Sequence, residues 1–245
     1  MAGSRMRPIR HTVFQTGLIG ALLDGVFEGD ITVGELLGHG DFGLGTFNSL
    51  DGEMIILDAL CYRLGVHGVA SPASKDELVP FAVVTNFIPE IVFDMPGPAT
   101  RADLTGSLDD AIPSANYLYA ARITGRFETI KIRNVAKQVA PYRPLAEVTD
   151  GEPVQELTDV SGVMVGFQTP AYERGIGVPG GHLHFIDDAR ETGGHVLDFA
   201  AGQVTVEICI GTDLTIRLPT TREFERADLD PPDLDQQVTR SENHD

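Results

Sequence analysis

The chain has 245 residues, of which 42% are hydrophobic, so it is long enough and apolar enough to bury one large core or two small ones. Its formal net charge of −18 at pH 7 repels polyanions, so nucleic acid is not expected as a partner. No run of about 20 apolar residues is present, so no membrane-spanning helix is expected. Trp is absent, and 27 Gly and 15 Pro favour short strands joined by tight turns, which predicts a β-rich α+β fold.

Two short helices are predicted near the N-terminus. Apolar residues recur at helical spacing over residues 15–37, with a break over residues 25–30. Thr32 stands three residues before Glu35, which is the spacing of a capping box. The second helix is therefore expected to begin at Thr32.

Strands are predicted in most of the remaining chain. Residues 45–50 and 53–57 flank Asp51-Gly52, a dipeptide that favours a two-residue type I′ hairpin turn, so Glu53 is expected to begin a strand. Residues 108–119 are ambiguous and could hold a helix. Further strands are expected at residues 60–66, 81–87, 117–130, 160–169, 182–186, 195–199 and 204–218. Together with the hairpin, they predict two mixed or antiparallel sheets with flanking helices.

A connection between two halves is predicted near residue 145. Pro141 and Pro144 precede an acidic segment, residues 147–156, which is typical of a linker. The expected division is an N-terminal α/β half (1–145), a C-terminal β half (146–222) and an acidic tail (223–245), with one integrated domain favoured over independent units. The ordinary interpretation of such an acidic tail is a solvated, weakly ordered end.

The cysteines and the N-terminus bear on the location of the protein. Cys61 and Cys209 lie far apart in apolar surroundings without a CxxC pattern, so buried free thiols are expected. Arg5, Arg7 and Arg10 precede a short apolar stretch, but it has no good small-residue cleavage site of the kind that follows a secretory signal. A cytoplasmic location is therefore predicted.

Three histidines form the strongest chemical pattern in the chain. In a strand, His182 and His184 project from the same face because successive side chains alternate. A polar loop ending in two glycines follows, and a strand resumes at His195. If Ile186 pairs with His195, so that His184 faces Leu197, all three imidazoles lie on one side of a C-terminal β-hairpin.

Three imidazoles leave a divalent ion with an open position, which is typical of a catalytic site. An isolated His-x-His is more often incidental, and the third histidine across the hairpin is what favours a metal. Zn²⁺ is the first choice because nothing calls for redox chemistry, although Fe, Cu, Ni, Co and Mn are alternatives. The remaining histidines are expected to be structural or surface residues, namely His11, His39, His67 and His244.

Four motifs resemble those of the α-acetolactate decarboxylase family. They are residues 38–54 (GHGDFGLGTFNSLDGEM), 138–145 (QVAPYRPL), 165–170 (VGFQTP), and 181–186 (GHLHFI) with 193–199 (GGHVLDF). Together they are highly specific, and they occur in the family's order. The resemblance extends over nearly the whole chain.

The resemblance implies a homodimeric, cytosolic or secreted enzyme that converts 2-acetolactate to acetoin and CO₂, with zinc on the three histidines. The functional glutamate of the family's first motif falls on Glu53, and the threonine that lines the same site falls on Thr46. The family's catalytic arginine falls on Arg133. Without the resemblance, Glu53 would equally be an exposed residue after a turn, Arg133 a strand-surface ion pair and Thr46 an ordinary strand residue.

A second functional glutamate comes from the family's C-terminal tail. Glu242 is the candidate by position, and Glu223 or Glu225 is the alternative. If Glu242 is correct, the acidic tail folds back over the metal.

The chemistry of acetolactate suits such a site. Its ketone and hydroxyl oxygens can chelate one ion, and loss of CO₂ leaves an enediolate whose charge Zn²⁺ stabilises as an electron sink. No organic cofactor is needed. We expect Arg133 to hold a substrate oxygen, while Glu53 and the tail glutamate handle protons, one of them protonating a single face.

Two other functions are open from the sequence. One is a non-catalytic, cupin-like module that binds a small hydroxy-keto acid through a metal. The charged trio of Glu53, Arg133 and a tail glutamate is evidence against it. The other is a metallohydrolase, which is disfavoured because no HExxH motif is present.

Overall fold

The computed structural model describes residues 10–242, and this part of the chain forms fifteen strands and five helices. His244, which was expected to be a structural or surface residue, lies outside it. In chain order the elements are β1 (Thr12–Thr16), α1 (Ile19–Leu23), β2 (Ile31–Thr32), α2 (Val33–Leu36), β3 (Phe42–Thr46), β4 (Glu53–Leu57), β5 (Leu60–Leu64), β6 (Ala70–Pro72), β7 (Leu78–Val79), β8 (Phe81–Thr85), β9 (Ile91–Met95), β10 (Ala99–Thr100), α3 (Arg101–Ala111), β11 (Leu118–Arg133), α4 (Leu145–Thr149), β12 (Val154–Thr169), β13 (Gly180–Asp187), β14 (Gly193–Gly211), β15 (Asp213–Arg217) and α5 (Leu234–Glu242).

Two large sheets organise the fold. The first has seven strands in the order β15-β1-β8-β3-β4-β5-β6, and its neighbours are antiparallel except β1 and β15. The second has six strands, in which β11, β12, β13 and β14 pair in a closed circuit while β9 and β10 pair with β14. Strands β2 and β7 form a separate pair. The prediction of a β-rich fold with few helices and more than one sheet is confirmed.

The two large sheets share a buried apolar cluster. Phe42, Leu44 and Ile55 of the first sheet belong to it together with Val165 and Ile186 of the second. This packing brings β4 against β13. The start of β4 therefore lies close to the histidine strand.

Local signals located the first two helices. Helices α1 and α2 form with a break between them, and the capping box of Thr32 and Glu35 is present at the start of α2. The ambiguous segment 108–119 holds the end of one helix and the first two residues of β11. Helix α3 begins at Arg101 and ends at Ala111, two residues before Pro113, which disfavours its continuation.

The two-residue turn predicted at Asp51-Gly52 is wrong. Strands β3 and β4 do pair, with Thr46 opposite Glu53, but residues 47–52 connect them through a 3-10 turn at Asn48–Leu50. Asp51 has a φ of −76°, whereas a type I′ turn needs a positive φ at both central residues. Glu53 nevertheless begins β4 as expected.

Strands β13 and β14 pair in a register that differs from the predicted one. His184, not Ile186, lies opposite His195. The connecting turn is closed by Asp187, whose carboxylate accepts two backbone N–H groups across it. The difference is two residues, so each side chain keeps its face. Two strands, at residues 195–199 and 204–218, were predicted in this part of the chain. Instead β14 is continuous over Gly193–Gly211, and β15 follows it at Asp213–Arg217.

Strands on both sides of residue 145 belong to one sheet, since β11 and β12 pair along most of their length. This pairing favours one integrated domain, although the division at residue 145 stays a prediction.

The C-terminal tail is not a solvated end over its described part, residues 223–242. Helix α5 packs on α1 and α4, with Leu234 and Val238 in the same buried cluster as Ile19 and Leu145.

Two smaller observations concern the thiols and the helices. Cys61 and Cys209 are buried and free, as expected. Between residues 10 and 242, no helix has both the length and the apolar character needed to cross a membrane.

Phe185 supports the histidine strand and gives a test of the fold. Its ring is fully buried and packs edge-on against Phe127 at 5.7 Å between ring centroids. Phe185→Ala is expected to lower the free energy of unfolding by about 3–5 kcal/mol, because it removes a large buried ring and leaves a cavity. Denaturant unfolding measures this loss, with Phe224→Ala, at a half-buried ring, as the control of smaller effect. A loss below about 1 kcal/mol for Phe185→Ala would contradict this assignment.

Candidate metal centre

His182, His184 and His195 converge where β13 and β14 meet. His182 Nε2 lies 3.2 Å from His184 Nε2 and 3.1 Å from His195 Nδ1. One ring nitrogen from each histidine lies within 4.8 Å of those of the other two. All three side chains are buried, and His184 is inaccessible to solvent. Such a cluster could hold one metal ion.

Backbone carbonyls fix the tautomers of two of these rings. His184 Nδ1 donates to the Met54 carbonyl at 2.7 Å, and His195 Nε2 donates to the Glu242 carbonyl at 3.1 Å. A carbonyl can only accept, so the ring proton resides on the donating nitrogen in each case. His184 Nε2 and His195 Nδ1, the atoms that face His182, therefore carry lone pairs that are available to a metal.

Burial keeps the three imidazoles in their neutral, metal-binding form. It lowers the pKa of His184 to about 4. Burial, assisted by the neighbouring imidazoles and by Arg133, also lowers the pKa of His182 and of His195 well below the ordinary value.

The spacing of the ring nitrogens also bears on a metal ion. Tetrahedral Zn²⁺ with nitrogen ligands at about 2.0–2.1 Å holds these nitrogens about 3.3 Å apart. Two of the three separations, 3.2 and 3.1 Å, are close to that value and the third is within 4.8 Å, so the cluster could hold a divalent ion.

Two carboxylates stand beside the histidines. An oxygen of Glu53 lies 3.6 Å from His184 Nε2, and an oxygen of Glu242 lies 3.5 Å from His182 Nε2. Burial, reinforced by Glu242 and opposed by Arg133, raises the pKa of Glu53 to about 8. Burial likewise raises the pKa of Glu242 to about 7 against the attraction of Arg133. A bound divalent ion acts in the opposite direction, because its charge stabilises the ionised carboxylates.

Arg133 joins the strands of the site to the C-terminal tail. It ends β11, lies opposite His195 of β14, and is only 3% exposed. Its guanidinium donates to the carbonyl of Ser241, the residue before Glu242. The strand-surface ion pair considered for Arg133 is therefore wrong, because the side chain is buried.

A cavity opens beside these groups. Glu53, Arg133 and Glu242 line it together with His182 and His195. Most of its other lining residues are apolar, namely Ile19, Leu22, Leu50, Phe81, Val135 and Leu145. A polar cluster within an apolar lining is typical of small-molecule sites.

Thr46 also lines this cavity. Its hydroxyl donates to the Gly52 carbonyl at 2.9 Å, so the side chain is also tied to the loop that precedes Glu53.

The residues named from the sequence thus lie close together, and Glu242 is the tail glutamate that lies among them. Glu223 and Glu225 are exposed and do not line the cavity, whereas Glu242 reaches the histidines. The apolar lining was not predicted from the sequence. Leu50 and Leu145 lie in two of the family motifs, but the other lining residues carry no local signal that marks them.

The other described histidines lie outside this cluster. His11 is buried with its Nε2 atom 3.6 Å from Glu90, and His39 is exposed and stacks on Phe14 at 3.7 Å between ring centroids. His67 is exposed in a 3-10 turn. These placements agree with structural or surface roles.

The fold and the site define a β-rich protein with a candidate mononuclear metal centre, flanked by paired carboxylates and a buried guanidinium. Comparison with known sequences identifies it more closely. The chain belongs to the alpha-acetolactate decarboxylase family, whose sequence profile matches residues 13–231.

Individual relatives match over most of their length. The alpha-acetolactate decarboxylase of Bacillus subtilis is 40% identical over 240 residues, which cover 98% of this chain and 94% of that protein. The enzyme of the same name from Methylococcus capsulatus is 42% identical over 233 residues, covering 95% and 89%. The crystal structure of the B. subtilis protein superposes with a TM-score of 0.93 at 40% identity, covering 95% of this chain and 100% of that chain. The resemblance inferred from the motifs is confirmed.

Removal of one histidine should abolish metal binding. His195→Ala is expected to lower the bound metal per chain by at least about tenfold after dialysis, because two imidazoles hold a divalent ion much less tightly than three. Inductively coupled plasma mass spectrometry measures the content. His67→Ala, at an exposed histidine outside the cluster, is the matched control and should retain its metal. Stoichiometric metal in His195→Ala would contradict the three-histidine assignment.

Proposed function

We propose that this chain decarboxylates 2-acetolactate (2-hydroxy-2-methyl-3-oxobutanoate) to acetoin and CO₂, with a divalent ion, Zn²⁺ as first choice, on His182, His184 and His195. One observation carries the proposal. In a member of this family, two imidazoles of the histidine cluster, two carboxyl groups and a buried guanidinium line a single cavity. Relatives of similar length bear the name alpha-acetolactate decarboxylase.

The substrate offers groups that match these residues. Acetolactate presents carboxylate, hydroxyl and ketone oxygens within a few bonds of one another. The guanidinium of Arg133 has several N–H donors and holds a substrate oxygen by charge-assisted hydrogen bonds. A bound Zn²⁺ supplies Lewis-acid stabilisation of the negative charge that stays on the substrate when CO₂ leaves. No organic cofactor is required for this chemistry.

Glu53 and Glu242 hold the proton that completes the reaction. The acetolactate anion plus one proton gives acetoin plus CO₂, so the carbon that loses CO₂ must be protonated. Both carboxyl groups line the cavity beside the histidine cluster, with an oxygen of Glu53 3.6 Å from His184 Nε2 and an oxygen of Glu242 3.5 Å from His182 Nε2. Glu53 begins β4 and lines the cavity, and it is the first choice to deliver the proton from its carboxyl oxygen. Delivery to one face only makes the acetoin chiral.

The apolar lining excludes water from this transfer. Leu22, Leu50, Phe81 and Leu145 border the same cavity as the carboxylates. An apolar lining disfavours water beside the reacting carbon, so a positioned carboxyl group is the favoured proton source and the electrostatic interactions of the site are stronger. Thr46 is assigned to the same substrate pocket. A homodimeric state and a cytoplasmic location belong to the proposal and stay predictions.

An acetolactate assay with and without a chelator tests reaction and metal together. The protein is expected to release CO₂ and form acetoin, and removal of the metal should lower the rate by at least about 100-fold, reversibly on addition of Zn²⁺. Acetolactate binding without CO₂ release would identify a non-catalytic binding module instead. Full turnover by metal-free protein would remove the metal from the proposal.

Glu53→Gln tests the proton donor. The change preserves size but removes the acidic proton, so kcat is expected to fall by about 10²–10⁴-fold. Metal content should be unchanged, because the three imidazoles are retained. Glu128→Gln, at an exposed glutamate, is the control and should have the wild-type rate. Decarboxylation by Glu53→Gln at the unmodified rate would exclude Glu53 from the mechanism.

A further inference from the structure

The loop between β3 and β4, residues 47–52, has an unusual backbone. Ser49 and Leu50 have φ angles of 62° and 50°, so two successive non-glycine residues adopt the left-handed region. Side chains disfavour this region, and such a conformation persists where surrounding contacts impose it. Leu50 is buried and lines the cavity, and Glu53 begins β4 three residues later. Whatever holds this loop therefore also shapes the candidate site.

One carboxylate holds the loop through both of its oxygens. Glu28 Oε2 accepts from Asn48 Nδ2 at 2.7 Å, and Glu28 Oε1 accepts from Ser49 Oγ at 2.9 Å. The Tyr142 hydroxyl donates to Glu28 Oε1 and lies 2.9 Å from Ser49 Oγ. The polar side chains of Glu28, Ser49 and Tyr142 thus contact one another in a closed triangle. These three residues and Asn48 are called the Glu28 network below.

The backbone of the loop is held at the same place. The Ser49 N–H donates to the Phe27 carbonyl at 2.8 Å, and the Ser49 carbonyl accepts from the Gln138 N–H at 2.7 Å. Ser49 is therefore fixed through its backbone N–H and carbonyl and through its hydroxyl.

The Glu28 network connects three segments of the cavity wall. Glu28 follows α1, which supplies Ile19 and Leu22 to the lining. Ser49 precedes Leu50, and Tyr142 precedes Leu145, both of which also line the cavity. The network also gives a physical role to the motif at residues 138–145, which the proposed chemistry does not use.

We propose that Glu28 and Tyr142 are positioning residues, which hold Leu50 and the start of β4 and so determine the shape of the substrate cavity. They lie outside the cavity lining and act through the loop. As far as it concerns substrate, this inference rests on the proposed function. A purely structural role would affect stability but would not change which substrates the cavity accepts.

Tyr142→Phe is the primary test. It removes one hydroxyl and leaves the ring, which packs on Phe27 at 5.0 Å between centroids, so the variant should fold. Ser49→Ala removes the facing hydroxyl and serves as the second variant. Tyr172→Phe is the matched control, since Tyr172 is an exposed residue whose hydroxyl donates to the Asn116 carbonyl at 2.9 Å, away from the network.

The first measurement is substrate selectivity. We compare kcat/KM for acetolactate with kcat/KM for its homologue in which ethyl replaces the 2-methyl group. In Tyr142→Phe and in Ser49→Ala, kcat/KM for acetolactate is expected to fall by about tenfold, and the homologue-to-acetolactate ratio to rise by about threefold or more, because Leu50 is no longer fixed. Metal content should stay at the wild-type level. Equal losses for both substrates would overturn the positioning role.

The second measurement does not depend on activity. Amide hydrogen exchange of residues 47–53, followed by mass spectrometry, is expected to be faster in Tyr142→Phe than in wild type by about tenfold, and unchanged in Tyr172→Phe. Wild-type exchange in Tyr142→Phe and in Ser49→Ala would overturn the proposal. If the wild-type protein decarboxylates neither substrate, the proposed function fails, and this exchange measurement still decides whether the network holds the loop.

Discussion

The pairing of three strands determines the site. Arg133 of β11 lies opposite His195 of β14, and His195 lies opposite His184 of β13. Residues directly opposite in antiparallel strands place their side chains on the same face, with Cβ atoms about 4.5–5.5 Å apart. One guanidinium and two imidazoles are therefore neighbours through backbone pairing alone. The closed circuit of β11 to β14 protects this arrangement, because a one-residue slip would turn His184 to the other face and disturb its pairing with β12 as well.

The C-terminal tail contributes Glu242 to the site that these strands form. Arg133 and His195 donate to the carbonyls of Ser241 and Glu242, at the end of α5. The last carbonyls of a helix lack partners within the helix, and the C-terminal end of its dipole favours positive charge. The same two side chains that line the cavity therefore also hold the end of α5. In consequence the carboxylate of Glu242 reaches the histidines, and Leu234 and Val238 of that helix join the core.

Features that depend on residues close together in the sequence could be predicted from the sequence, whereas features that depend on distant residues mostly could not. The capping box of Thr32 and the shared face of His182 and His184 depend on neighbours within a few residues, and both are present. The register of the hairpin depends on how Asp187 closes its turn, and the prediction was wrong by two residues.

Contacts between distant segments were harder to predict. Composition alone indicated a solvated tail, whereas its burial depends on contacts such as that between Leu234 and Ile19. Glu53, Arg133 and Glu242 were found through family resemblance, because no local pattern links residues so far apart. The Glu28 network had no signal of its own, since it joins three segments that meet only in the folded chain.

The charge balance of the site depends on the two carboxyl groups, on Arg133 and on a divalent ion. The chain has a formal net charge of −18, which counts Glu53 and Glu242 as ionised, so the protein as a whole does not favour negative charge on these two buried carboxyl groups. Within the site, Glu53 and Glu242 face one guanidinium, and burial raises the pKa of both carboxyls against the attraction of Arg133. A divalent ion on three neutral imidazoles reverses this shift, because both carboxylates can then ionise beside an excess of positive charge. A metal ion bound at the three histidines would stabilise the docked carboxylate of Glu242, and by linkage docking of Glu242 would strengthen metal binding by the same factor by which the metal strengthens docking.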